Sequence, residues 1–146
     1  DPRGVGPMSE LPALPVPRSR EAAPFWDAAL EGRLVLPVCD SCGHHIWYPR
    51  DACSACGHDS VTWTEMSGQG TVYARTIARR GMGPWKEAAP YVVAYVELAE
   101  GPRILTNVVT DDPESVQVGA PVVATFVPVA DAPEDRPQSL LRFRPA

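Results

Sequence analysis

The chain has 146 residues, 45% of them hydrophobic, which is enough for one ordinary domain plus a small module. Its 18 acidic residues outnumber its 13 lysines and arginines, giving a net charge of -5 that argues against a general nucleic-acid binder. No apolar run approaches a membrane span, no signal-peptide pattern stands out, and the cysteine usage described below fits a reducing cytoplasm.

Residues 1–20 read as a disordered tail or linker, because Pro2, Pro7, Pro12, Pro15 and Pro17 remove helix and ladder options. Met8 is a candidate natural start, which would leave residues 1–7 as either a cloning remnant or an interdomain linker. Residues 21–32 read as a helix, with Pro24 in its first turn and Gly32 as its stop. Trp26, Ala29 and Leu30 form its apolar stripe and Phe25 widens it. That face either packs on the chain's own ribbon or docks a partner through Phe25 and Trp26.

Every cysteine falls in two similar turns, Cys39-Asp40-Ser41-Cys42-Gly43-His44 and Cys53-Ser54-Ala55-Cys56-Gly57-His58. A Cys-x-x-Cys turn delivers two thiolates from one side, and two such turns close a tetrahedron around a metal, zinc before iron. Each following glycine suits a left-handed backbone position. Two disulfides are the alternative, but paired turns of this kind are poor disulfide geometry. Four thiolates would fill the coordination shell of zinc, so the site reads as a structural staple for a ribbon with little core. His44, His45 and His58 flank the turns and read as surface residues rather than ligands. Strands are expected at residues 33–38 and 61–64, with residues 46–50 leading to the second turn. The helix and ribbon together form a unit at residues 21–67.

From residue 68 the pattern turns to alternating β. Strands are expected at residues 71–78, 91–98, 103–109, 122–127 and 140–144, with a loop at residues 111–114 that has room for a short helical turn. Five short strands suggest a small barrel at residues 68–146, with an OB-fold as the candidate and a sandwich as runner-up. The chain thus reads as mainly β: an N-terminal helix, a four-cysteine zinc ribbon and a five-stranded OB-fold barrel.

The order of these features carries a family resemblance. It runs from the Phe25-Trp26 helix and the four-cysteine ribbon to Gly68-Gln69-Gly70-Thr71-Val72-Tyr73 and Pro90-Tyr91-Val92-Val93-Ala94. Gly101 with Leu105-Thr106-Asn107, Val118-Gly119 and Phe143-Arg144-Pro145 follow. This resembles the DUF35 family, in which a rubredoxin-like zinc ribbon precedes an OB-fold associated with acyl-CoA enzymes. The second turn departs slightly, lacking the proline common after its first cysteine. The resemblance implies a noncatalytic subunit of a thiolase-like enzyme, either a thiolase or a retro-aldolase such as those that shorten steroid side chains. It implies a barrel that helps form the acyl-CoA channel and, in some members, fusion to a MaoC-like hydratase.

The residues themselves agree about chemistry. A thiolase-type mechanism needs a reactive cysteine and a histidine base, whereas all four cysteines belong to the metal set and the barrel has no histidine. Tyr73, Tyr91 and Tyr95 read as strand packing rather than proton donors, and Asp111 and Asp112 as a solvated loop. The loop Arg79-Arg80-Gly81-Met82-Gly83-Pro84-Trp85-Lys86 is locally cationic in an acidic chain. Arg79, Arg80 and Lys86 suit the CoA phosphates, Gly81 and Gly83 permit close backbone approach, and Met82 and Trp85 suit the pantetheine arm or adenine. An ordinary exposed hairpin loop is the competing reading. A nucleic-acid-binding ribbon and OB-fold is the alternative function, and it would require a basic barrel with stacking aromatics.

Overall fold

Alternation of apolar and polar residues builds the larger part of the molecule, a computed structural model that describes residues 11–146. Along Tyr91–Leu98, the residues Val92, Ala94, Val96 and Leu98 are buried and their neighbours face outward, as a half-buried strand requires. Seven strands form among the described residues: β1 (Val35–Cys39), β2 (Val61–Glu65), β3 (Gln69–Ala78), β4 (Tyr91–Leu98), β5 (Arg103–Val108), β6 (Pro121–Pro128) and β7 (Ser139–Pro145). β1 and β2 pair antiparallel as the ribbon, and the other five close a barrel in the order β3-β4-β5-β7-β6. This is the expected five-stranded barrel, with each strand within a residue or two of its predicted bounds. A 3-10 turn at Pro113–Ser115 stands at the loop that has room for a short helical turn. Residues 46–50 form no strand, and only His45 bridges back to Val38.

The barrel has one weak seam. β5 and β7 run parallel and share a single pairing, Val108 with Phe143, with the Val109 N–H donating to the Phe143 carbonyl at 2.7 Å. The helix α1 (Ala23–Leu30) lies against β1, β6 and β7, so it covers the barrel on the side where this seam opens. Proline in its first turn and Gly32 at φ 74° set its ends as the sequence implied.

The expected stripe on α1 is buried at Phe25, Trp26 and Ala29 and departs only at Leu30. Phe25 is 2% and Trp26 7% exposed, Ala28 and Ala29 are also buried, and Leu30 is 42% exposed. The two aromatics are therefore core residues of this chain and leave little surface for a partner, which corrects their assignment as a docking pair. Phe25 meets Trp26, Trp47 and Tyr48 edge-on, at ring-centroid distances of 5.1, 5.6 and 6.3 Å, and the Trp26 Nε1–H donates to the Tyr48 hydroxyl at 3.2 Å. Each such aromatic pair adds about 0.5–1.5 kcal/mol beyond area burial. Ribbon and barrel are thereby joined. One continuous core runs from Phe25, Leu34 and Leu36 through Met66 to Val72, Val96 and Phe143.

Residues 11–19, part of the stretch read as a tail, form neither helix nor strand but are fastened to the barrel. The Val16 N–H donates to Gln138 Oε1 at 3.0 Å, and Gln138 Nε2 donates to the Val16 carbonyl at 2.7 Å. The buried Arg142 guanidinium donates to the carbonyls of Leu11, at 3.2 Å, and Pro12. Burial lowers the pKa of that guanidinium, because the charged form loses solvent. The reading of residues 1–10 lies outside the described residues.

Phe143 is fully buried at the seam, so Phe143→Ala should cost about 3–5 kcal/mol. Because the core is continuous, urea unfolding followed by tryptophan fluorescence and by far-ultraviolet dichroism should give one coincident transition, shifted to lower denaturant in the variant.

Candidate metal centre and barrel surface

Each cysteine turn folds on its own backbone. The Cys39 N–H donates to the His44 carbonyl at 2.9 Å and the Gly43 N–H to the Cys39 carbonyl at 3.0 Å; Cys53, His58 and Gly57 repeat this at 2.8 and 2.9 Å. Gly43 and Gly57 have φ of 76° and 80°, the left-handed conformation expected for them. Such turns aim backbone N–H groups at sulfur. Ser41 and Cys42 donate to Cys39 Sγ at 3.4 and 3.5 Å, and Ala55 and Cys56 donate to Cys53 Sγ at 3.3 and 3.4 Å. Asp40 fastens the first turn to the second strand of the ribbon, accepting from the hydroxyls of Ser60 at 2.5 Å and Thr62 at 2.6 Å. These hydroxyls, Ser60 first, hold its carboxyl below the usual range.

The four sulfurs converge within 4.8 Å of one another, with Cys39 to Cys56 and Cys42 to Cys53 each at 3.6 Å. A zinc ion with bonds of about 2.3 Å sets tetrahedral sulfur–sulfur edges of about 3.8 Å, whereas a disulfide needs about 2 Å. All four cysteines are free of disulfides, so the arrangement is a metal-binding cluster, and no histidine belongs to it. The thiols are in electrostatic conflict. Burial would raise the pKa of Cys53, but the N–H groups of Cys56 and Ala55 and the sulfurs of Cys42 and Cys39 pull it down to about 6. The His44 N–H favours the Cys42 thiolate, yet burial and the three neighbouring sulfurs push it up to about 12. A divalent cation removes that conflict. The donor set therefore fits zinc, held by Cys39, Cys42, Cys53 and Cys56, and the service it would supply is a cross-link.

The loop after β3 is less free than its sequence suggested. Arg79 is ion-paired with Glu114 at 2.5 Å, and this bond holds the Glu114 carboxyl below its usual range. Both partners are well exposed, so the pair adds little stability. Arg80 and Lys86 are exposed, and Met82 is 86% exposed. Trp85 packs on Tyr91 at 4.8 Å, with the Arg142 guanidinium 5.7 Å from its ring. A Cβ on Gly81 would lie 2.1 Å from the Trp85 carbonyl oxygen, so this glycine serves the loop's own folding. Trp85, Tyr91, Val93, Leu105, Thr106 and Asn107 line a shallow cleft of about 300 Å³ beside the loop.

Beside that cleft lies a surface that the sequence reading did not single out. Tyr73, Tyr95 and Leu105 are 47%, 46% and 59% exposed. Tyr95 is paired across strands with Leu105 and, on its other side, with Ala74 next to the bulge at Tyr73. The face is bounded at one end by the Arg103–Glu97 ion pair, with the Arg103 guanidinium 3.8 Å over the Tyr73 ring. Its signal was present in the strand alternation, since these residues stand opposite the buried valines.

Comparison with known proteins adds the following. Residues 26–62 match the ChsH2 rubredoxin-like zinc ribbon domain, and residues 63–127 match the ChsH2 C-terminal OB-fold domain. A DUF35 domain-containing scaffold protein of Methanocaldococcus jannaschii is 32% identical over 81% of this chain and 85% of its own length. A Thermomonospora curvata protein named "Probable enoyl-CoA hydratase alpha subunit" is 36% identical over 88% of this chain, and a Mycobacterium tuberculosis protein named 3-oxo-4,17-pregnadiene-20-carboxyl-CoA hydratase alpha subunit is 29% identical over 77%. The chain spans only 38% and 36% of those two longer relatives. Among solved structures, one named Ltp2-ChsH2(DUF35) aldolase superposes with a TM-score of 0.74 at 34% identity, covering 90% of this chain and 98% of that one.

Elemental analysis of the folded chain should find one zinc per molecule, and a sample folded without metal would refute the assignment. Cys42→Ser should release the metal and loosen residues 39–61, while the barrel strands stay protected from hydrogen exchange.

Proposed function

This chain belongs to the DUF35 family, with a ribbon and barrel of the ChsH2 type, and from that premise we propose that it is a noncatalytic subunit of a thiolase-like acyl-CoA enzyme. The partner is a thiolase or a retro-aldolase, and this chain helps form its acyl-CoA channel. The observation that carries the reading is the division of side chains. All four cysteines converge on the metal cluster, the three histidines all lie at the ribbon turns, and the barrel presents an outer face that is apolar and largely uncharged. Such a chain lacks the nucleophile and base of acyl transfer and has a surface suited to protein contact.

The docking surface in this reading is the β3–β4–β5 face with Tyr73, Tyr95 and Leu105, in place of Phe25 and Trp26. Tyrosine at the centre of an interface contributes large, rigid contact area and a hydroxyl for hydrogen bonding. CoA would meet the adjoining loop, where Arg80 and Lys86 supply charge and Met82 and Trp85 supply apolar contact. Arg79 would contribute only on leaving Glu114. The names of the relatives support acyl-CoA chemistry, with steroid side-chain degradation as the context and a MaoC-like hydratase as a further associate. The alternative of nucleic-acid binding is weaker. Although the face carries tyrosines, two of the barrel's cations, Arg79 and Arg103, are already paired with carboxylates.

The test is reconstitution with a thiolase-like protein encoded in the same genome. The purified chain alone should show no acyl-CoA turnover, and the mixture should run as a complex by light scattering. Tyr95→Asp with Leu105→Asp should weaken assembly at least tenfold, since charge would be buried in an apolar contact, while melting and zinc content stay unchanged. Robust turnover by the isolated chain would refute the noncatalytic role.

A further inference from the structure

A wide groove lies elsewhere, between the N-terminal strap formed by residues 11–19 and the loop leading into β7. It has a volume of about 910 Å³, and Arg18, Arg20 and Arg136 all line it. Among the described residues no carboxylate does; Asp131, Glu134 and Asp135 belong to the same loop but not to the lining. Arg18 pairs with the exposed Asp27 at 3.2 Å, whereas Arg20 and Arg136 make no ion pair among the described residues. In a chain with a net charge of -5, three guanidinium groups on one groove reverse the local sign.

The groove is also built rather than incidental. Gln138, 8% exposed, lines it and clamps both walls together through its two bonds to Val16. Pro15, Pro17 and Pro133 stiffen the same walls. Its volume falls in the range of small-molecule sites, about 300–1,000 Å³. Guanidinium forks match phosphate oxygens two at a time. A pyrophosphate group concentrates several negative charges within one such groove, while an acidic peptide carries one charge per residue, spaced by about 3.3 Å of extended chain.

We propose that this groove binds a pyrophosphate-bearing ligand through Arg20 and Arg136, with Arg18 joining them on leaving Asp27. The site is separate from the loop that carries Arg80 and Lys86 and does not depend on the identity of the partner enzyme.

The probe is inorganic pyrophosphate, titrated calorimetrically into the zinc-loaded full chain at low and at physiological salt. Binding should weaken as salt rises. Arg20→Gln and Arg136→Gln should each lower the affinity about tenfold, as loss of a charge-assisted contact predicts, while Arg50→Gln, an equal change of net charge, leaves it unaltered. Arg136→Lys, which keeps the charge but loses the fork, should fall between. Coincident thermal melts would show that the variants fold alike. Failure of the wild-type chain to bind pyrophosphate would overturn the proposal, as would an equal loss with Arg50→Gln. A tetraglutamate peptide bound as tightly by the same arginines would overturn the ligand class.

Discussion

Four sulfur atoms drawn to one point are the constraint on which the ribbon depends. The buried set around its turns is Cys39, Ile46 and Cys53 with Val61 packed alongside, too little apolar surface to order residues 39–61. A metal at the cluster replaces the missing core. The fixed ribbon then holds Trp47 and Tyr48 against Phe25 and Trp26, and those aromatics press α1 over the side of the barrel where β5 and β7 separate. Metal, aromatic cluster and helix are thus successive links, while the barrel strands keep a core of their own in Val72, Val92, Val96, Ile104 and Phe143.

This use of aromatic surface explains what is left for function. Side chains that looked abundant for a small ribbon are spent inside the chain, and three exposed apolar residues, Tyr73, Tyr95 and Leu105, share the β3–β4–β5 face. That face has few charges because its two ends are closed by specific pairs, Arg103 with Glu97 at one and the Trp85–Tyr91 stack at the other. A surface of this composition suits a protein partner better than a polyanion. The cationic groove under the strap has the opposite character, which separates the two surfaces chemically as well as in space.

Much of the fold was legible because its signals are local. The cysteine spacing gave the cluster, the glycines after Cys42 and Cys56 gave the turns, and alternation of valines gave the barrel strands. What escaped the sequence was set by distant contacts. Residues 11–19 contain prolines and no periodicity, yet Gln138 and Arg142, more than a hundred residues away, fasten them. Leu30 fits the helical stripe, but the helix turns Phe25, Trp26, Ala28 and Ala29 inward because the gap it covers lies on that side. The pairing of Arg79 with Glu114 is equally invisible locally, since 35 residues separate them. Charge in a loop can be counted from sequence, but whether that charge is already neutralised cannot.

The role proposed for this chain is to dock a thiolase-like enzyme through the outer face of β3, β4 and β5. Hydroxyl-radical footprinting, read by mass spectrometry on the chain alone and in the assembled complex, tests it most directly. The account predicts that oxidation of Tyr73, Tyr95 and Leu105 falls sharply on assembly, while Leu14 and Val118 remain as reactive as before. A complex that forms with those three side chains still fully reactive would contradict it.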